Sequence, residues 1–272
     1  MATTPAPDQT PDQARSTGPA PGPNPGQNPR RHRWLHWLGA FVLGGSLLAV
    51  AIAVGALTLA RYDIIDKLSG FIGFMMMLNP VRVLAILAGI AFVLGLVLKG
   101  PRWKALAGLV LSGGLMVAMY TAVIVPAGQV PPLHDITTNL DDPPAFRTLP
   151  LREDNLVPFT SIDEWRAAHR AGYPDIAPIL LELPPAEALA RARALAEARG
   201  WEIAGYNAAT GHLEATATAG YLRFYDDVVI RVTPVADGSS RVDMRSVSRV
   251  GVSDLGYNAA RIRDFLADMQ AS

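Results

Sequence analysis

The chain has 272 residues, with 24 Lys and Arg balancing 24 Asp and Glu, so it lacks the basic excess of a nucleic-acid binder. It has no cysteine, which excludes disulfides, thiolate zinc sites and cysteine nucleophiles. Hydrophobic residues make up 50%, but unevenly: residues 34–125 carry few charges, while most Asp, Glu and Arg lie beyond residue 134.

Residues 1–33 open with Pro, Ala, Gly, Gln, Asp and Thr, and no large aliphatic or aromatic side chain follows Met1 before residue 30. Such a segment buries too little apolar surface to offset chain ordering, so a disordered tail is expected. A cleaved signal peptide would place a short apolar core at the start, whereas the first apolar run here is long and late.

Residues 34–125 hold three apolar runs, Leu35 to Ala60, Val83 to Leu98 and Ala105 to Val125. Crossing a hydrocarbon layer ~30 Å thick takes roughly 20 apolar residues as a helix, so a multi-pass helical anchor in a lipid bilayer is predicted. Phe71 to Leu78 is too short to cross and reads as an interfacial turn or an extension of the second helix, kinked at Pro80. Met75 to Met77 reads as lipid-facing filling rather than a soft binding surface. No Asp, Glu, Lys or Arg lies mid-span, which favours an anchor over a transporter. Small residues recur every fourth position (Gly45, Ala49, Ala53; Ala91, Gly95; Gly114, Ala118, Ala122), allowing close helix packing or a homo-oligomer.

Arg30, Arg31 and Arg33 precede the first span, and Lys99, Arg102 and Lys104 crowd the second loop; the first loop has Arg61, Lys67 and Arg82. Cations in short loops favour the cytoplasmic side. Three crossings then put the N-terminus in the cytoplasm and the C-terminal domain in the periplasm, across an inner membrane. The lack of cysteine is compatible with an oxidising compartment.

Seven prolines over 126–160 predict an extended linker. The rest, 161–272, reads as an α+β domain. Ser161 and Glu164 form a capping pattern ahead of a helix ending at Gly172; Pro185 opens a second helix that Gly200 closes. Period-two alternation marks strands around Leu213–Ala217, Val228–Val232 and Val242–Val250, with turns at Asn207–Gly211 and Ala236–Ser239. Ile179–Leu183 and Trp201–Tyr206 add edge strands, and a last helix from Ser253 or Asp254 buries Leu255, Ile262, Phe265, Leu266 and Met269. The expected architecture is an antiparallel sheet with helices on one face, with a helix-grip fold as the alternative.

Several stretches resemble one family. His134-Asp-Ile-Thr-Thr, Pro143-Pro-Ala-Phe, Tyr173-Pro-Asp, Arg223-Phe-Tyr-Asp-Asp-Val and Arg245-Ser-Val-Ser-Arg-Val-Gly-Val-Ser-Asp-Leu-Gly-Tyr-Asn are similar to the domain of unknown function 1499 family over about residues 131–270. The resemblance implies membrane-anchored relatives of similar layout but no activity.

A three-residue loop with Gly238 left-handed sets Arg231 opposite Asp243 and Asp226 opposite Ser248. Arg223, Asp227, Arg245 and Arg249 then share the other face, with Asp254 and Asn258 beginning the last helix nearby. These residues, with Asp226 and Ser248, are the candidate ligand site, because arginine forks match phosphate and carboxylate. Cross-strand ion pairs on a solvated sheet face are the structural reading of the same pattern. Asp226 is the one acid on the apolar side of its strand, and Ser246, Ser248 or amides near Gly251 and Ser253 are its expected donors. His134, His169 and His212 lack metal-ligand spacing, so no metal or cofactor is expected. Three functions stay open: an envelope module binding a partner protein or anionic ligand, an enzyme using Asp226 with Ser248 or Arg249, and a carrier of an apolar ligand.

Overall fold

The computed structural model describes residues 1–2 and 32–271, so the expected tail, with Arg30 and Arg31, falls almost wholly outside the described residues. Helices α1 (Arg33–Arg61), α2 (Lys67–Met76), α3 (Leu78–Val97) and α4 (Trp103–Met119) form the N-terminal bundle. A π-helical turn, Tyr120–Ile124, and the short α5 (Val125–Ala127) extend α4 where Pro126 removes a donor. Three helical stretches, Arg33–Arg61, Lys67–Val97 and Trp103–Ala127, are long and apolar enough to cross a membrane.

Of the two readings of Phe71 to Leu78, the structure selects the extension. Met77 between α2 and α3 keeps near-helical angles (φ −75, ψ −10), and its amide donates to Phe74 O. Pro80 sits in the first turn of α3, where a missing donor costs nothing. The bundle packs through small residues: a Cβ on Gly70 would lie 2.3 Å from that of Ala60. Ala49, Ala53, Ala91 and Gly95 are buried as expected, but Gly114, Ala118 and Ala122 are exposed. The packing face of α4 is Ala105, Gly108, Ser112 and Met119 instead.

The C-terminal domain has strands β1 (Asp135–Thr137), β2 (Ile179–Leu181), β3 (Glu202–Asn207), β4 (His212–Ala219), β5 (Phe224–Pro234) and β6 (Ser240–Ser248). They form one antiparallel sheet ordered β1-β6-β5-β4-β3, with β2 sharing the β6 edge. Helices α6 (Ile162–Gly172), α7 (Pro185–Ala198) and α8 (Tyr257–Ala271) complete an α+β domain. Ser161 caps α6 by accepting from the Glu164 amide, and Glu164 reaches back to the Thr160 amide and hydroxyl. The inner sheet face packs Leu213, Val228, Ile230 and Met244 against Leu189, Ile262 and Met269. Phe265 stacks on Trp201 at 5.1 Å, so the space beneath α8 is filled by side chains rather than opened into a helix-grip cavity.

Three expectations are corrected. The last helix begins at Tyr257, because Leu255 and Gly256 both adopt positive φ, and Leu255 is half-buried before it. The segment expected as a linker supplies β1, and residues 139–157 then run as a strap over the outer sheet face. That face is therefore covered rather than solvated: Glu214, Asp227, Val229, Asp243 and Val247 are buried.

Glu214 pins the strap. Its carboxylate is fully buried and accepts the amides of Arg147 (2.6 Å), Thr148 (3.0 Å) and Leu149 (2.7 Å), and pairs with His212 Nε2 at 2.7 Å. Burial pushes its pKa up, but His212 and the three amides outweigh burial and hold it below the ordinary 4.5. Its stabilisation is therefore full above about pH 4.5 and is lost as the pH falls through the depressed value. Glu214→Ala removes the acceptor of three partly buried amides and should cost on the order of 3 kcal/mol. Denaturant unfolding of the full chain in detergent should show the loss, with faster tryptic cleavage at Arg147 and Arg152. An unchanged midpoint and unchanged cleavage would contradict the strap's dependence on this acid.

Candidate functional site

The hairpin places Arg231 opposite Asp243 and Asp226 opposite Ser248, in the register expected from its loop. Asp237 and Gly238 both take positive φ there. Strand alternation then divides the candidate residues between two compartments.

Asp226 and Ser248 lie beneath α8, and Asn258 in its first turn faces them. Asp226 is 1% exposed and accepts from Arg261 Nη2 at 2.7 Å, not from the expected serines or loop amides. Arg261 also donates to Ser246 Oγ and Asn258 Oδ1, while Asn258 donates to His134 O and Ser248 Oγ. Asp226 Oδ1 has no hydrogen-bond partner among the described residues. Asp226 and Ser248 are thus neighbours committed to different partners, and Arg249 lies on the opposite face. The arrangement gives Asp226 neither a nucleophile nor exposure to a substrate.

Asp254 terminates the chain leading into α8, accepting the amides of Gly256 (2.9 Å) and Asn258 (2.6 Å). Burial raises its pKa to about 6; the two amides oppose that, and the nearby Asp226 charge adds to it. Burial likewise pushes the Tyr173 hydroxyl up to about 12, with Asp254 adding to it. His134 is lowered by burial and by Arg152.

Asp227, Arg245 and Arg249 lie on the outer face under the strap. Arg249 grips Asp227 through Nε (2.9 Å) and Nη2 (2.8 Å), and Thr216 adds a hydroxyl. Arg245 grips Asp135 in the same way, at 2.9 and 2.6 Å, with Pro144 O and the Phe146 ring alongside. Arg223 does not join them: it sits in the β4–β5 turn with φ 56, near Asp63 at the end of the anchor, whose pKa Lys67 chiefly lowers and Arg223 lowers slightly further. Sequence reasoning missed Asp135 and Arg152. Arg152 donates to both Asp154 oxygens and to Gly251 O, which holds the strap over the end of β6.

Between strap and sheet lies a groove of about 320 Å³ lined by Phe146, Leu151, Arg152, Val247, Ser248 and Arg249. A second cleft of about 320 Å³ opens where the domain meets the α1–α2 loop, and Arg249 lines that cleft too. Among the described residues no His, Asp and Glu cluster is placed to hold a metal.

A family model described as protein of unknown function (DUF1499) matches residues 135–269. The C-terminal domain belongs to this family. The match begins at Asp135, the partner of Arg245, and runs through Met269 on the core face of α8. The DUF1499 domain therefore includes β1 and the strap. No curated protein matches the chain.

Because the pKa of Asp254 is raised on folding, its stabilising contribution is full below about pH 3.8 and lost as the pH rises through about 6. Asp254→Asn should remove that loss. Between pH 4 and pH 7 wild type should fall relative to the variant by up to about 3 kcal/mol. Parallel pH profiles in chemical denaturation would show that Asp254 carries no such penalty.

Proposed function

We propose that the chain is an integral protein of an inner membrane, with three spans, a cytoplasmic N-terminus and the DUF1499 domain held periplasmically at the bilayer face. There the domain binds an anionic ligand of the envelope in the groove between strap and sheet. The topology is supported by the charge distribution. Arg33, Lys99, Arg102 and Lys104 fall at one end of the bundle, and Arg30 and Arg31 precede Arg33 in the sequence. Lys104 Nζ lies 3.4 Å from His36 Nε2, which keeps the α3–α4 loop beside the start of α1. At the other end Arg61 donates to Tyr221 O and Lys67 to Leu222 O, so these two cations serve docking and are withdrawn from the competing loop signal.

Arg249 carries the ligand reading. Its side chain is 43% exposed at the groove rim, Nη1 makes no hydrogen bond among the described residues, and Phe146 and Leu151 give an apolar wall. That combination suits a phosphate or carboxylate on an apolar frame. The remaining arginines around the groove are matched to acids: Arg152 to Asp154, Arg245 to Asp135. They stiffen the walls more than they invite an anion.

Two measurements test this reading. Alkaline phosphatase fused after Ser272 should be active and a cytoplasmic reporter there inactive; the reverse would contradict the topology. The full chain purified from native membranes should carry an anionic small molecule, detectable by mass spectrometry, that Leu151→Glu loses. Identical extracts from wild type and variant would remove the groove from consideration.

A further inference from the structure

The cleft at the junction of anchor and domain differs chemically from the groove. One wall is the α1–α2 loop with Asp63, Ile64, Asp66 and Lys67; the other is the ends of two strands with Phe224, Tyr225, Arg249 and Val250. The loop joins the ends of two helices long and apolar enough to span, so in a bilayer this cleft lies at headgroup depth. Ile64, 67% exposed at the rim, and its neighbour Ile65 are apolar side chains set between Asp63 and Asp66.

The unfilled valences in the cleft are specific. Lys67 is spent: its ammonium donates to Ala60 O and Leu222 O and pairs with Asp63 Oδ1 at 2.8 Å, above the Tyr225 ring. Arg249 keeps Nη1 unpartnered among the described residues, after Asp227 and Thr216 take Nε and Nη2. Asp66 uses one oxygen to cap α2 through the Ser69 amide at 2.8 Å and leaves the other free among the described residues. Asp63 Oδ2 has only a long contact, 3.4 Å, from the Tyr225 hydroxyl. The cleft thus offers one guanidinium NH2 group to an anion and two carboxylate oxygens to a cation.

We propose that this cleft holds a bilayer phospholipid whose zwitterionic headgroup pairs a phosphate with a primary ammonium. The phosphate takes Arg249 Nη1, and the ammonium, with three N–H donors, takes Asp66 and Asp63. A headgroup with net negative charge would bring no cation to Asp66, which, unlike Asp63 with Lys67, pairs with none among the described residues. A quaternary ammonium has no N–H to give them. The inference rests on the three-span reading; cleft and groove share Arg249, so its Nη1 serves one ligand at a time.

The test is native mass spectrometry of the full chain released from nanodiscs containing equal phosphatidylethanolamine, phosphatidylcholine and phosphatidylglycerol. Wild type should retain phosphatidylethanolamine over each of the others by roughly tenfold, the scale of one charge-assisted hydrogen bond. Asp66→Asn keeps a helix-capping oxygen but loses the charge, and should make phosphatidylethanolamine and phosphatidylcholine equal. Arg249→Gln should lower retention of all three. Soluble glycerophosphoethanolamine should fail to displace the lipid, and Leu151→Glu in the groove should leave retention unchanged. Equal retention by wild type, an unaltered preference in Asp66→Asn, or displacement by the soluble headgroup would each overturn the proposal.

Discussion

The position of the whole C-terminal domain depends on one buried lysine. Lys67 stands in the first turn of α2, where a helix dipole disfavours a cation, and its side chain is 8% exposed. Asp63 and two carbonyls compensate it, and one of those carbonyls, Leu222 O, belongs to the DUF1499 domain. A buried ammonium is costly unless each donor finds an acceptor, so a domain shifted by even a few ångströms would leave it short of one. The contribution is to geometry more than to net stability. Arg61 over the Tyr221 ring and Phe71 edge-on to Phe224 fix the same junction from both sides.

A second constraint acts on the sheet. Its outer face carries Glu214, Asp227 and Asp243, which would be ordinary surface acids if that face met water. The strap removes water from them, so each must be matched: Glu214 by amides, Asp227 by Arg249, Asp243 by Arg231 and Arg241. The arginine-rich pattern is largely the consequence of covering a charged face. Among the described residues the buried Arg231 Nε and Arg241 Nε lack partners, and so does the exposed Arg249 Nη1, where strap, sheet and membrane junction meet.

Much of this was legible in the sequence where the signal is local. The apolar runs, the caps at Ser161 and Pro185 and the period-two strands each declare themselves within about ten residues. Even the β5–β6 register followed from a loop of fixed length, which sets Arg231 against Asp243. The failures are non-local. β1 is three residues long and exists only because the β6 edge is free beside Val247, so no alternation announces it. The strap is extended, as its prolines suggest, but its covering role depends on Glu214, which an outward strand position makes look solvated. Arg261 had a signal: it follows Asn258 by three, so the two share a face of α8 and reach Ser246 together.

The central claim is that the DUF1499 domain is docked on the anchor through the turn between β4 and β5. The chain has no native cysteine, so Phe71→Cys with Phe224→Cys gives an unambiguous pair at a site where the two rings are 6.3 Å apart. After treatment with a short bis-maleimide in native membranes and trypsin digestion, the account predicts a cross-link joining peptide 68–82 to peptide 224–231, absent when Tyr206→Cys replaces Phe224→Cys. Free, reactive thiols at both positions, or linkage no greater than in that control, would contradict the docked arrangement.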